Sequence, residues 1–98
     1  MANYDLLGTV VSIESLQEIL EIAQYQLEKC KIAESEILRD VTKRGISEIG
    51  AQRLIEYLDG ELRQRIKAYE EKVRKYEKLI KRVNSGEEVK RRDIIYRV

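Results

Sequence analysis

The sequence predicts an all-α fold: one long, coiled-coil-like antiparallel two-helix hairpin with short extended or helical terminal segments. Three observations carry this expectation. Two stretches repeat their apolar residues in steps of three and four, a short segment bounded by Gly45 and Gly50 separates them, and one register lays the first stripe against the second. Steps of this kind gather the apolar side chains on one helix face, whereas a half-buried strand alternates every second residue.

The first stripe is Ile13, Leu16, Leu20, Ala23, Leu27, Cys30, Ile37 and Val41, with Glu34 in the one skipped position. Ser12 is placed to cap this helix, because a serine hydroxyl accepts from the free amides of the first turn. Glu14 sits favourably at the positive end of the helix dipole. Lys43, Arg44 and Gly45 supply the cations and the glycine that a helix C-terminus prefers, so the predicted helix covers about 12–43.

The second stripe is Leu62, Ile66, Tyr69, Val73, Tyr76, Ile80 and Val83, in strict alternation of four and three, and Asn84-Ser85-Gly86 ends it. Ser47 is the expected cap at its start, with Gly50 close behind, and Asp59-Gly60 interrupts the middle. A helix-interior glycine costs about 1 kcal/mol relative to alanine, which a long helix tolerates. The expectation is one helix over about 47–84, with 59–60 as its point of kinking or breakage, and a tail over 85–98, all within a single domain of residues 1–98.

In an antiparallel pair the two stripes share layers. Ile13 pairs with Val83, Leu16 with Ile80, Leu20 with Tyr76, Ala23 with Val73, Leu27 with Tyr69 and Cys30 with Ile66 in one register, which continues to Val41 with Ile55 and centres the connection at Glu48. Leu20, Leu27, Ile66, Val73 and Ile80 are the residues expected to hold the hairpin. At the ends, residues 6–11 and 93–98 suit short extended pieces that emerge at the same end of the hairpin. Ser85-x-x-Glu88 has the form of a capping box, which predicts a short helix near residues 87–92.

Composition excludes several kinds of chemistry. The chain has 98 residues, no histidine and one cysteine, so the commonest general base and a clustered-cysteine metal site are both missing. No catalytic, metal or cofactor-binding residues are expected, nor a small-molecule substrate: the carboxylates have the spacing of solvated helix faces, and Cys30 sits in the seam as a small hydrophobe. No apolar run approaches the roughly 20 residues a membrane helix needs, and no leader of the usual secretory type opens the chain, so a cytoplasmic setting is expected.

Nineteen basic and eighteen acidic residues give a net charge of +1 that hides an asymmetry. Up to Val41 there are eight acids and three bases, a net of −5; the remainder has sixteen bases and ten acids, a net of +6. Halves of opposite sign attract within a chain or between chains.

Two surfaces carry functional interest. Ile22, Tyr25 and Ile32, with Lys29 in the gap, form a second apolar stripe on the back of the first helix. One hairpin buries one face, so this stripe calls for a homodimer mate, as in a four-helix bundle, or a helical protein partner; the plainer alternative is a cover formed by residues 94–98. The second surface is cationic. Arg74, Lys75, Lys78, Lys81 and Arg82 are candidate phosphate contacts for a nucleic acid, although Glu70, Glu71 and Glu77 are interleaved and Tyr69 and Tyr76 lie in the seam, away from any base. The expected function is that of a non-catalytic protein–protein interaction module, a small adaptor, assembly factor, chaperone or inhibitor, with nucleic-acid binding as the alternative.

Two long antiparallel helices around a glycine-containing turn, here Lys43-Arg44-Gly45, give the chain an architecture that resembles the WXG-type helical hairpins. Lys43 stands where that family has its tryptophan, and Tyr57 and Glu61 have the Tyr-x-x-x-acid spacing of its secretion signal, in mid-chain. The resemblance implies a small partner or substrate of type VII secretion machinery.

Overall fold

A computed structural model describes residues 8–95. The order is α1 (Ile13–Arg44), α2 (Ile49–Tyr57), a π-helical turn (Leu58–Leu62), α3 (Arg63–Asn84) and α4 (Arg91–Ile95). The fold is all-α: α1 packs along the second long helical arm formed by α2, the π-turn and α3. Principal extents of 59 × 28 × 18 Å and a Cα radius of gyration of 18.8 Å describe a rod, since a compact domain of this length has a radius near 13 Å.

Local chemistry sets each helix end. Ser12 caps α1 by accepting the Ser15 amide, and the Gly45 N–H closes its other end on the Val41 carbonyl at 2.9 Å. Gly45 leaves the helix at a φ of 89°, a conformation that L side chains rarely adopt. The expected cap at Ser47 is displaced by one residue: Glu48 caps α2 with its carboxylate, which accepts the Gly50 amide, and Arg44 pairs with Glu48 across the turn and with Asp40 within α1. A longer side chain does here what the serine was expected to do.

The interruption expected near 59–60 is neither a break nor a second helix start. The backbone widens into a π-turn in which the Arg63 N–H reaches the Leu58 carbonyl, five residues back. Leu58, Leu62 and Ile66 are spaced by four and four, one residue more than the alternation elsewhere in the stripe, and such a turn absorbs an extra residue without ending the helix. Leu58 and Leu62 are each 2% exposed, so both stay in the seam.

The core is thin and consists of two clusters. At the open end Leu16, Tyr76, Leu79 and Val89 are buried, with Val11, Ile19, Leu20, Ile80, Val83 and Ile94 packed around them. Toward the turn Leu58, Leu62 and Ile66 are buried against Leu27, Cys30, Ala33 and Ile37. Leu16 and Ile80, Leu20 and Tyr76, and Cys30 and Ile66 fall in common clusters, as the sequence register requires. Glu34, the polar residue in the seam stripe, reaches across to Arg63 at 3.3 Å, and Arg63 also holds Asp59 at 2.7 Å.

The terminal pieces pair less than expected. Val10 and Lys90 form an isolated antiparallel bridge, flanked by Val11 N–H to Val89 carbonyl at 2.8 Å and Arg91 N–H to Thr9 carbonyl at 2.9 Å. Residues 93–95 belong to α4, Arg91–Ile95, which overlaps the short helix expected near 87–92 only at Arg91 and Arg92 and starts later than the Ser85 capping box predicts. The Ser85 hydroxyl instead donates to the Arg82 carbonyl, while the Asp93 carboxylate accepts the Lys90 amide. The remaining terminal residues for which pairing was expected, 6–7 and 96–98, lie outside the described residues.

The two turns make opposite predictions for glycine replacement. At Gly60 an added Cβ meets nothing within 4 Å inside a helical arm, so Gly60→Ala should raise stability by about 0.5–1 kcal/mol. Gly45→Ala should lower it by about 1 kcal/mol because its φ is positive. Urea unfolding of both variants beside the wild type reads the two signs directly.

Candidate functional site

Because α1 turns 100° per residue, the face carrying Leu16, Ala23 and Val41 into the core points Ile22, Tyr25 and Ile32 away from it. Those three side chains are 55%, 56% and 53% exposed. The Lys29 ammonium lies 4.9 Å from the centroid of the Tyr25 ring, a cation–π contact that fills the gap in the stripe. The expected cover by the C-terminal segment is not what the described residues do. Ile94 packs into the open-end cluster instead, and Ile95 is 60% exposed.

The cationic surface divides in two. Arg82 pairs with Glu87 at 2.9 Å and approaches Asp93 at 4.0 Å, and the Lys75 ammonium donates to the Ile94 carbonyl. These two candidate phosphate contacts therefore hold the α4 segment against α3. Arg74, Lys78 and Lys81 make no ion pair among the described residues. Beside them an open groove of about 820 Å³ runs between α3 and α4, with Tyr76, Leu79 and Ile94 on its apolar side and Lys72, Arg74 and Lys78 on its charged side. Tyr76 is 5% exposed in the core, and burial pushes its hydroxyl above its ordinary pKa.

Three exposed apolar residues escaped the sequence reading: Leu38 on α1 is one, and the other two are at the tip. Ile46 and Ile49, at the tip of the hairpin, are 73% and 69% exposed. Their signal was apolar chemistry in a glycine-bounded connection, which the seam pattern does not count. Cys30 is half-buried beside the Leu62 cluster. Among the described residues no group of three or more metal-ligating side chains comes together, and no helix is long and apolar enough to cross a membrane.

No family model, curated protein or solved structure matches this chain, so none of the three comparisons supports the likeness to WXG-type hairpins.

Tyr76 gives a pH prediction with a definite sign. The folded state keeps this hydroxyl protonated beyond the ordinary value of 10.0, whereas the unfolded chain releases the proton near it. The stabilisation is complete below that value and is lost as pH rises through the folded pKa. Urea midpoints measured from neutral pH upward should fall more steeply at alkaline pH for the wild type than for Tyr76→Phe.

Proposed function

We propose that the protein is a non-catalytic protein–protein interaction module, a small adaptor, assembly factor, chaperone or inhibitor, that docks a partner on the outer face of α1. The observation that carries this reading is the exposure of Ile22, Tyr25 and Ile32, each more than half open on one face of a helix whose opposite face is in the core. Burying three such side chains against a partner is worth several kcal/mol at about 25 cal/mol per Å² of apolar area, before the cost of association is subtracted. The thin core of the rod fits the same reading, because a hairpin gains apolar burial by docking.

Ile22→Glu combined with Ile32→Glu should leave helical content intact by circular dichroism and abolish association. Loss of helix with unchanged mass would overturn the assignment of this face to a partner.

A second reading has one observation in its favour: Arg74, Lys78 and Lys81 have no ion pair among the described residues and lie along one side of α3. A nucleic-acid backbone would satisfy them. This reading predicts salt-sensitive gel retardation of DNA or RNA, weakened by reversing Lys78 and Lys81. Absence of retardation even at low salt would eliminate it. The WXG-like reading, as a type VII secretion partner, uses the same α1 docking face and adds no residue of its own.

A further inference from the structure

Within one hairpin the acidic and basic helices scarcely neutralise each other. The ion pairs between α1 and α3 among the described residues are Lys31 with Glu70 at 3.8 Å and Glu34 with Arg63 at 3.3 Å. Glu14, Glu18, Glu21 and Glu28 of α1 make no ion pair there, and neither do Lys67, Arg74, Lys78 and Lys81 of α3. All eight are exposed. Over α1 the balance is seven acids to five bases and over α3 nine bases to three acids, and these eight residues without an ion pair among the described residues stand in solvent on separate faces.

Each set is also a regular stripe. Glu14, Glu18, Glu21, Tyr25, Glu28 and Ile32 step by four, three, four, three and four, so they share one side of α1 with the exposed apolar residues. Lys67, Arg74, Lys78 and Lys81 step by seven, four and three along α3. The first stripe is about 27 Å long and the second about 21 Å at 1.5 Å per residue, so they match in length as well as in sign. The aliphatic stems of the lysines offer apolar surface against Tyr25 and Ile32 while their ammonium groups reach the glutamates. Packing α1 on a second α1 would instead set glutamates against glutamates.

We propose that the partner of the α1 face is a second copy of this chain, with the acidic and apolar outer face of α1 in one copy laid along the cationic outer face of α3 in the other. This inference rests on the reading of α1 as a docking face and names what docks there. The contact is between unlike surfaces on the far sides of the hairpin, so each copy offers both halves of it, and copies join head to tail, α1 of one on α3 of the next. Because the paired charges stand in solvent, the association weakens as salt screens them.

The experiment is solution mass by light scattering on the full chain, over a dilution series at low and at high salt. It uses the wild type, a variant with Glu18→Lys, Glu21→Lys and Glu28→Lys, and a variant with Arg74→Glu, Lys78→Glu and Lys81→Glu. The wild type should associate at low salt and lose at least tenfold in affinity at high salt. Each variant alone should be at least tenfold weaker than the wild type. An equimolar mixture of the two should recover association, because each restores opposite charge to both contacts. Circular dichroism checks that the variants stay helical, and where a reversal costs the fold, glutamine at the same positions reads the tenfold loss of association, the recovery on mixing being read only with the charge-reversed pair.

A wild type that stays monomeric at every concentration at low salt overturns the proposal whatever the variants do. So does an α3 variant that associates like the wild type, since that marks an α1-to-α1 contact, and so do helical variants whose mixture stays monomeric. A monomeric wild type that retards DNA or RNA, with retardation lost in the α3 variant, assigns the cations to nucleic acid. The docking reading of α1 fails separately, when association of any kind survives Ile22→Glu with Ile32→Glu.

Discussion

Leu16, Leu20, Leu27 and Cys30 on α1, set against Leu62, Ile66, Tyr76 and Ile80 on the returning arm, form a seam one side chain deep. Nearly all the tertiary structure follows from that contact, because two helices joined by a short turn have no other place to bury apolar area. Its regular period keeps α1 unbroken over 32 residues, and the π-turn keeps Leu58 and Leu62 in line on the other arm where the spacing changes. A seam of this kind also limits the fold. It leaves the far side of each helix in solvent, and the described terminal residues pack at its open end, where Val89 and Ile94 extend the core.

What the outer faces carry then becomes the functional question. On α1 the far side mixes glutamates with Ile22, Tyr25 and Ile32, and on α3 it carries cations. Exposed ion pairs contribute about 0–1 kcal/mol each, so the cross-helix pairs of Glu34 and Lys31 tune the register without supplying much of the stability. The stability lies in the apolar clusters, and the surface charges remain available to select a partner. Charge complementarity of this sort contributes to specificity and to association rate more than to raw affinity.

The hairpin was legible in the sequence because a repeat of three and four has a single geometric meaning when sustained over several turns. The cap at Ser12 and the stops at Gly45 and Asn84-Ser85-Gly86 were legible because each acts on its own neighbours. Gly60 showed where the second arm would depart from regularity, but not that the departure would be a π-turn; the double step of four around Leu62 was the available sign. The tail was least legible. Whether Ser85 or Asp93 organises it depends on Arg82 and Lys75 of α3, which lie many residues away from α4 in the chain. The exposure of Ile22, Tyr25 and Ile32 followed directly from their phase against the seam. The division of the basic cluster into residues that hold α4 and residues left without ion pairs among those described did not, because it needs the path of the tail.

The seam holds an extended hairpin and leaves the outer face of α1 open. Small-angle X-ray scattering at high salt, extrapolated to infinite dilution so that association does not enter, tests it most directly. The expected result is a radius of gyration near 18.8 Å with a longest principal extent near 59 Å. A value near 13 Å would contradict it, since the arm would then fold back at Gly60 into a compact bundle that buries the face assigned here to a partner.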